Sequence, residues 1–221
     1  KPVSSETVVL GGDPCLKEVY AGKEYYFNEA GQLVMINVTA PIYPDALAKA
    51  LEAYAKAYEV DVKKTKVKDI NLGIETITNN YLDDAMSSYM FEDYAKASEL
   101  FGKAAEASVT EPYSKVDTTA LYNAGFTAWM MKDYPRAEEY FNKCVEAGYY
   151  YEGGEVFAKL ADIYNNTERK DAARDILESG FAKFPQSQSI LIGLINYYLD
   201  SKQSPDRLFE LIGEAKKNEP N

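Results

Sequence analysis

The sequence of 221 residues contains no histidine. Histidine is the side chain that most often acts as a general base near neutral pH and as a zinc ligand, so Ser-His-Asp sites, Cys-His sites and two-histidine metal sites are excluded. The two cysteines, Cys15 and Cys144, match no metal-ligand spacing. Glycine-rich phosphate loops are absent too, because Gly11-Gly12 and Gly153-Gly154 lack the lysine or the third glycine that such loops require. The composition therefore predicts no metal and no cofactor.

Positive charge is scarce as well. Lysine and arginine number 24 against 35 aspartates and glutamates, which gives a formal net charge of −11. Nucleic acids and anionic membranes are bound through clustered basic side chains, so neither is expected as a partner. The short basic run at residues 62–68 is predicted to be a solvated helix start. No run of about 18 apolar residues is present, so the sequence predicts no membrane-spanning segment.

Carboxylate pairs such as Asp83-Asp84 and Glu138-Glu139 are abundant. Adjacent residues on a helix point in different directions, however, and these pairs fall on faces that are predicted to be solvated. Two acids from distant positions, as in a glycosidase, are the enzymatic arrangement that the sequence leaves open. Since the chain offers no paired nucleophile and base and no phosphate loop, it is predicted to be a binding protein and not an enzyme.

A short amphipathic sequence occurs twice, as EDYAKASELFGKAAEAS at residues 92–108 and as KDYPRAEEYFNKCVEAG at residues 132–148. Each copy opens on an Asp-Tyr pair, and an alanine, a phenylalanine and a small residue follow at the same spacing. These positions are Asp93, Tyr94, Ala97, Phe101 and Ala104 in the first copy and Asp133, Tyr134, Ala137, Phe141 and Cys144 in the second. Apolar residues at steps of three and four predict one buried stripe on an α-helix. Cys144 takes a small-residue position in that stripe, so it is predicted to be buried and inert.

The alanine of this pattern has equivalents further along the chain. The equivalent positions are 40, 36 and 35 residues apart, at Ala97, Ala137, Ala173 and Leu208. This period is close to the roughly 34 residues of known helix-hairpin repeats, and the polar, proline-containing segment 111–119 lengthens the first interval. Each unit is predicted to be a pair of helices, for example Val116–Met131 and Tyr134–Glu146. Pro135 then lies in a first helical turn, and Gly148 follows a last turn.

The units resemble the tetratricopeptide repeat (TPR) family. That family places a large residue, a Leu-Gly pair and a tyrosine in the first helix of a unit, and Tyr, Ala, Phe and Ala in the second. The second unit matches with Leu121, Ala124-Gly125, Trp129, Tyr134, Ala137, Phe141 and Cys144. The third matches with Phe157, Leu160-Ala161, Tyr164, Ala173, Leu177, Gly180 and Pro185. The first matches with Tyr81, Ala85, Tyr89, Tyr94, Ala97, Phe101 and Ala104, and it departs at Asp84, where leucine is expected.

The resemblance covers residues 66–221 and implies an all-α fold. The expected architecture is a right-handed α-solenoid of about five antiparallel helix hairpins. Four of them are regular, at about residues 66–110, 115–148, 152–186 and 187–221. Stacked hairpins of this kind bury a continuous core between neighbours, which explains why one chain carries the same short pattern more than once.

The N-terminal part lacks this regular pattern. Residues 1–12 are predicted to be a flexible lead-in. Residues 13–65 are predicted to be a divergent first helical hairpin, with Asp13 as N-cap and Pro14 at the first helical position of a long helix. An irregular hairpin before regular repeats is similar to TPR proteins of Bacteroides-type bacteria, which typically carry an export signal. The chain begins with Lys1, as expected either from signal removal or from trimming, so an exported, periplasmic or cell-envelope location is the expectation from the resemblance.

The candidate binding residues come from the first helices of the units, which line the concave side of such a solenoid. Aromatic and methionine side chains beside asparagine and aspartate there predict a groove for an extended peptide or a partner helix. The candidates are Met86, Tyr89, Tyr122, Asn123, Phe126, Trp129, Asp162 and Asn165.

Three other interpretations are open at this stage. Phe126 and Trp129 could pack inside the protein and never meet a ligand. The same aromatic rings could stack on sugars, as in a glycan-binding protein of the cell envelope. The last unit could mediate self-association, because it carries apolar residues where a terminal repeat is expected to be polar; these are Leu191, Ile192, Ile195 and Leu208.

Overall fold

The structure, a computed structural model, describes residues 1–20, 23–38 (without the side chain of Val38) and 45–217. Within these residues four β-strands precede nine α-helices. The strands are β1 Ser4–Leu10, β2 Asp13–Tyr20, β3 Lys23–Phe27 and β4 Leu33–Val38. The helices are α1 Ala46–Val60, α2 Val67–Met90, α3 Tyr94–Ser108, α4 Thr118–Met130, α5 Tyr134–Glu146, α6 Glu155–Asn166, α7 Lys170–Lys183, α8 Gln188–Ser201 and α9 Pro205–Lys217. The chain divides into two compact units, Lys1–Ala120 and Leu121–Asn221. From here on, these two parts of the chain are called the first and the second unit, and the single helix pairs are called hairpins.

The N-terminal strands correct the prediction for this part of the chain. The flexible lead-in at residues 1–12 and the long helix from Asp13 are wrong, because β1 to β4 form an antiparallel sheet in the order β1-β2-β3-β4. Gly11 and Gly12 have φ values of 61° and 94° and connect Leu10 to its pairing partner Asp13. Two left-handed residues in a two-residue loop make the tight turn that suits the twist of an antiparallel hairpin. Of the predicted hairpin at residues 13–65, the helix α1 is the part that the structure contains.

One face of the sheet carries its buried residues. Leu10, Cys15, Tyr26 and Met35 are buried together. Leu10, Cys15 and Met35 alternate with exposed neighbours as the period of two requires, and the neighbours of Tyr26 are half-buried. Phe91, just after α2, closes this small core, with its ring centroid 4.9 Å from that of Tyr26. The sheet is therefore packed onto the end of α2 within the first unit.

The helical part has the predicted architecture of repeated hairpins, in which two helices are joined by a short turn. Helix α2 opens the predicted hairpin at residues 66–110, and α5 has the predicted bounds. Pro135 lies in the first turn of α5, and Gly148, with a φ of 71°, follows that helix. Helix α7 ends at Lys183, two residues before Pro185. Residues 218–221 of the predicted last unit lie outside the described part of the chain.

The turns inside the first three hairpins, α2–α3, α4–α5 and α6–α7, have the same geometry. A non-glycine residue with a left-handed backbone follows the first helix, with φ values of 61°, 62° and 61° at Glu92, Lys132 and Glu168. The next backbone N–H then donates to a carbonyl of the last helical turn. These bonds are Asp93 to Ser88 (2.9 Å), Asp133 to Ala128 (3.0 Å) and Arg169 to Tyr164 (2.8 Å). This pairing satisfies carbonyls that the helix end would leave without partners.

The core of the second unit confirms the predicted roles of the small residues. Ala137, Phe141 and Cys144 on α5 are fully buried. Burial raises the pKa of the Cys144 thiol to about 12, so the side chain is an inert core group. Gly125 on α4 lets the helices approach, since a Cβ there would lie 3.0 Å from the ring of Phe141. A second buried cluster joins α6, α7, α8 and α9; its largest fully buried members are Phe157, Leu177, Ile190, Leu191, Leu194 and Leu211.

Ion pairs also join the second helices of successive hairpins. Arg169, at the start of α7, donates to both carboxylate oxygens of Glu138 on α5, at 2.8 and 2.6 Å. Arg207 on α9 donates to both oxygens of Glu178 on α7, at 3.1 and 2.5 Å. Both pairs are bidentate; Arg169 uses its two terminal nitrogens, and Arg207 uses Nε and one terminal nitrogen.

Candidate binding surface of the second unit

Three of the predicted residues form a line on α4. Tyr122, Phe126 and Trp129 are spaced by four and three residues, so they share one helix face. The ring centroids of Tyr122 and Phe126 are 6.0 Å apart, and those of Phe126 and Trp129 are also 6.0 Å apart, with both pairs stacked. Tyr151, from the segment before α6, stacks on Tyr122 with a centroid separation of 4.1 Å and an interplanar angle of 9°. Tyr151, Tyr122, Phe126 and Trp129 are called the aromatic row below.

The four rings differ in exposure. Tyr151 is 39% exposed, and Phe126 and Trp129 are half-buried. Tyr122 was predicted to face outward, but it is only 6% exposed because Tyr151 and neighbouring rings cover it. Burial, and secondarily the nearby charge of Glu155, raises the pKa of the Tyr122 hydroxyl. Tyr122 is therefore a buried support of the aromatic row, and the solvent-accessible surface of the row is formed by Tyr151, Phe126 and Trp129.

Helix α6 contributes charged groups to the Trp129 end of the row. The indole Nε1 of Trp129 donates to Oδ2 of Asp162 at 2.6 Å. The ammonium of Lys159 lies 3.5 Å from the centroid of Trp129 and 5.5 Å from that of Phe126, which are cation–π distances. Its other partner is Glu155, whose Oε1 is 3.3 Å from Nζ. One ammonium and two carboxylates thus surround two aromatic faces.

Asp162 has a second polar neighbour. The side-chain amide of Asn166 donates to the backbone carbonyl of Asp162 at 2.8 Å and to its Oδ1 at 3.1 Å. The two carboxylate oxygens are therefore held from two sides, Oδ1 by Asn166 and Oδ2 by Trp129. Such bonds fix the orientation of a side chain before any ligand arrives.

The remaining predicted residues lie elsewhere. Asn123 is half-buried on α4, and Asn165 is exposed on α6. Asn165 lines a different cavity of about 360 Å³ that α7 and α8 complete. Met86 and Tyr89 belong to α2 in the first unit, where Met86 is exposed and the ring of Tyr89 packs edge-on against Tyr94 at 5.5 Å. Of the predicted residues, the structure therefore links Phe126 and Asp162 to Trp129, and Phe126 also stacks on the buried Tyr122.

Two residues of this surface were missed in the sequence. Lys159 stands three residues before Asp162 and four after Glu155, so helical spacing alone places all three on one face and could have identified it. Tyr151 carries no such signal. It lies in an irregular segment and combines a positive φ of 56° with a ψ of −178°, a conformation that periodicity does not predict.

Two further structural features bear on the possible chemistry. Among residues 1–20, 23–38 and 45–217, no three side chains of the histidine, cysteine, aspartate or glutamate type are grouped as a metal site would need. No helix in the described part of the chain is long and apolar enough to cross a membrane.

Comparison with known proteins identifies the fold. No protein-family model matches the sequence, and no curated protein gives a significant sequence match. Among solved structures, the fold is similar to that of MamA, with 16% identity, a TM-score of 0.53, and coverage of 80% of this chain and 96% of that one. It is also similar to PilF of Pseudomonas aeruginosa, with 11% identity, a TM-score of 0.52 and 79% coverage of each chain.

A third similar structure is YrrB, described as a TPR protein with an unusual peptide-binding site. It is 16% identical, with a TM-score of 0.50, and the alignment covers 80% of this chain and 93% of that one. The predicted TPR-like helical-repeat fold is therefore confirmed as a fold. At these identities the likeness concerns the fold alone.

Proposed function

We propose that this protein is a non-enzymatic interaction module that binds an extended peptide or a partner helix on the surface shared by α4 and α6. The observation that carries the proposal is the continuous stack of four rings with charged groups at one end. Aromatic side chains that combine partial exposure with a rigid, supported position are typical of the residues that dominate binding energy at interfaces.

The dimensions of the row suit a peptide. The successive centroid separations of 4.1, 6.0 and 6.0 Å limit the row to a length that at most about five residues of an extended chain cover at roughly 3.3 Å per residue. Stacking on Tyr122 and on one another restricts the rings, so little conformational entropy would be lost on binding. The description of YrrB as a peptide-binding TPR protein supports the same class of ligand for this fold.

The alternative of a glycan ligand has less support from the geometry. A sugar is recognised through hydrogen bonds to its hydroxyl groups as well as by stacking, but the indole N–H of Trp129 already donates to Asp162. The carboxylate of Asp162 is itself bonded to Asn166. The groups that would have to recognise a sugar at this ring are thus already paired within the protein.

Self-association is a second candidate function, and a different surface favours it. Phe209 on α9 is 70% exposed, and Ile192 and Leu199 on α8 are also exposed. Exposed apolar residues in the last described hairpin are the kind of surface that a second copy of the chain could cover. Sedimentation of the wild type and of Phe209→Ser over a range of concentrations tests this; a wild-type chain that stays monomeric at high concentration contradicts it.

The peptide proposal is tested by a panel of peptides measured against four forms of the protein. These are the wild type, Tyr151→Ala, Phe126→Ala and the control Phe209→Ala, which removes an exposed ring of the same unit outside the row. A bound peptide is expected to lose about 1–4 kcal/mol of binding free energy with Phe126→Ala or Tyr151→Ala and nothing with the control. Equal affinity for all four forms, with unchanged circular dichroism, would rule out the aromatic row as the site.

A further inference from the structure

We infer that Lys159 fills a cation-binding cage on this surface, formed by Trp129, Phe126 and Glu155. On binding, a lysine or arginine side chain of the ligand takes the place of Lys159. The inference rests on the proposed function, because it names the kind of side chain that the aromatic row would recognise. It does not follow from the repeat fold, since the residues concerned are particular to α4 and α6 of this chain.

The surroundings of the Lys159 ammonium are those of a cation site. The face of Trp129 lies 3.5 Å from Nζ, the ring of Phe126 lies at 5.5 Å, and Oε1 of Glu155 lies at 3.3 Å. Asp162 is on the same helix face and accepts the indole N–H of Trp129. Two aromatic faces and a carboxylate are the groups with which proteins bind alkylammonium and guanidinium ions. The Lys159 side chain is 17% exposed, so most of its surface is covered by these neighbours and the rest of the protein.

The local charge decides which sign of ligand the site prefers. Lys159 supplies one positive charge, whereas Glu155 and Asp162 supply two negative ones, and the whole chain has a net charge of −11. A ligand anion that approached Lys159 would meet two carboxylates. A ligand cation that replaced Lys159 would keep every favourable contact of the cage, and the displaced ammonium would be hydrated again in water.

Replacement is mechanically feasible because the walls and the occupant differ in how they are held. Trp129 is fixed by stacking on Phe126 and by its bond to Asp162, and Asp162 is also held by Asn166. Lys159, in contrast, is a flexible four-carbon chain that starts at the rim of the cage on α6. It can turn outward into solvent while the walls stay in position. Lys159 therefore acts as an internal competitor that lowers the affinity for a basic ligand.

Trp129 is the single tryptophan of the chain, so its fluorescence reports on the cage directly. In Lys159→Ala, n-butylammonium, which mimics a lysine side chain, is expected to change Trp129 emission saturably, with half-saturation on the order of 10–100 mM. Wild-type protein is expected to need at least about ten times more, and the neutral analogue n-butanol is expected to give no saturable change in either form.

Lys183→Ala is the matched control. It removes another lysine of the second unit that lies over an aromatic ring, 5.1 Å from the centroid of Tyr150, and leaves the cage occupied. Lys159→Gln is titrated in parallel and is expected to respond at an intermediate concentration, so a folding defect of the alanine variant leaves the test intact. If neither Lys159 variant responds more strongly than Lys183→Ala while both show native circular dichroism, the cage does not exist.

Peptides separate this inference from the proposed function. A peptide with one arginine among apolar residues is expected to bind Lys159→Ala about 3–10 times more tightly than the wild type, because the internal competitor is gone. If instead a glutamate-containing counterpart binds the wild type more tightly than the arginine peptide does, and Lys159→Ala no longer binds it, the cation cage is refuted. The aromatic row would then remain as the binding site. If butylammonium binds and no peptide does, the cage stands and the proposed function fails.

Discussion

A methyl group added at Gly180 would measure how tightly α7 packs against its neighbours. A Cβ at this position would lie 2.8 Å from both Cβ and Cγ of Phe157 on α6 and 3.0 Å from Cδ1 of Ile190 on α8. Phe157 is 1% exposed and Ile190 is fully buried, so neither side chain has free space to move into. The Cβ of Phe157 is attached directly to the α6 backbone, so rotation of the side chain cannot move it away. Gly180→Ala therefore forces α6 and α7 apart.

The expected size of the effect is the difference between two opposing contributions. Overpacking of a well-packed core costs about 1–3 kcal/mol, and two contacts with atoms close to the backbone place this site in the upper half of that range. Alanine in place of glycine inside a helix recovers about 1 kcal/mol. The free energy of unfolding is therefore expected to fall by about 1–2 kcal/mol in Gly180→Ala.

Urea unfolding followed by Trp129 fluorescence is a suitable assay, because Trp129 and Gly180 lie in the same unit. The midpoint is expected to fall by about 0.5–1 M with an unchanged slope. Gly213→Ala is the matched control, since a Cβ on this α9 glycine would meet nothing within 4 Å. It should be more stable than the wild type by up to about 1 kcal/mol. Equal stabilisation by both substitutions would refute the close packing of α6 and α7.

Two further substitutions test local features of the hairpins. Lys132 is exposed and has a φ of 62°, a backbone conformation that glycine adopts more easily than other residues. Lys132→Gly is therefore expected to raise the free energy of unfolding, measured in urea, by about 1 kcal/mol, whereas Lys132→Ala should not. A stability gain in the alanine variant would contradict this. The hydrogen bond from Arg169 holds the pKa of Glu138 below its usual range, so this pair stabilises the fold above the unfolded pKa and loses its effect as the pH falls through the folded one. Glu138→Gln is therefore expected to be less stable than the wild type at pH 7 by at most about 1 kcal/mol, with the difference vanishing towards pH 3. A constant difference at both pH values would count against the ion pair.

Helix bounds were predictable where local signals agree. The repeated Asp-Tyr opening places an aspartate at the N-cap of α3 and α5, and in both the carboxylate accepts a backbone N–H three residues on, from Lys96 and Arg136. Pro135 and Gly148 mark the start and end of α5 independently. Because caps, proline and periodicity all specify the same segment, α5 begins and ends at the predicted residues.

The N-terminal sheet was not predicted because two local signals conflict there. Asp13-Pro14 is a typical helix start, but the glycine pair at Gly11-Gly12 between two apolar runs is a typical hairpin turn. The pairing of β1 with β2 and of β2 with β3 shows that the hairpin signal prevails. Helical periodicity in the sequence gives no information about such pairing between strands. Similarly, the spacing on α4 predicted the line of rings, whereas the stacking of Tyr151 on Tyr122 depends on an irregular segment.

The two sides of the second unit differ in a way that links its repetition to its proposed function. On the side of the second helices, arginine–carboxylate pairs join successive hairpins, from Arg169 to Glu138 and from Arg207 to Glu178. On the side of the first helices, α4 carries the aromatic row, α6 the charged groups, and α8 apolar and amide side chains. Contacts between successive hairpins fix their spacing, and a fixed spacing is what allows side chains from α4 and α6 to form one site. Substitutions on the first-helix side should therefore change binding with little effect on stability, and substitutions in the ion pairs should do the reverse.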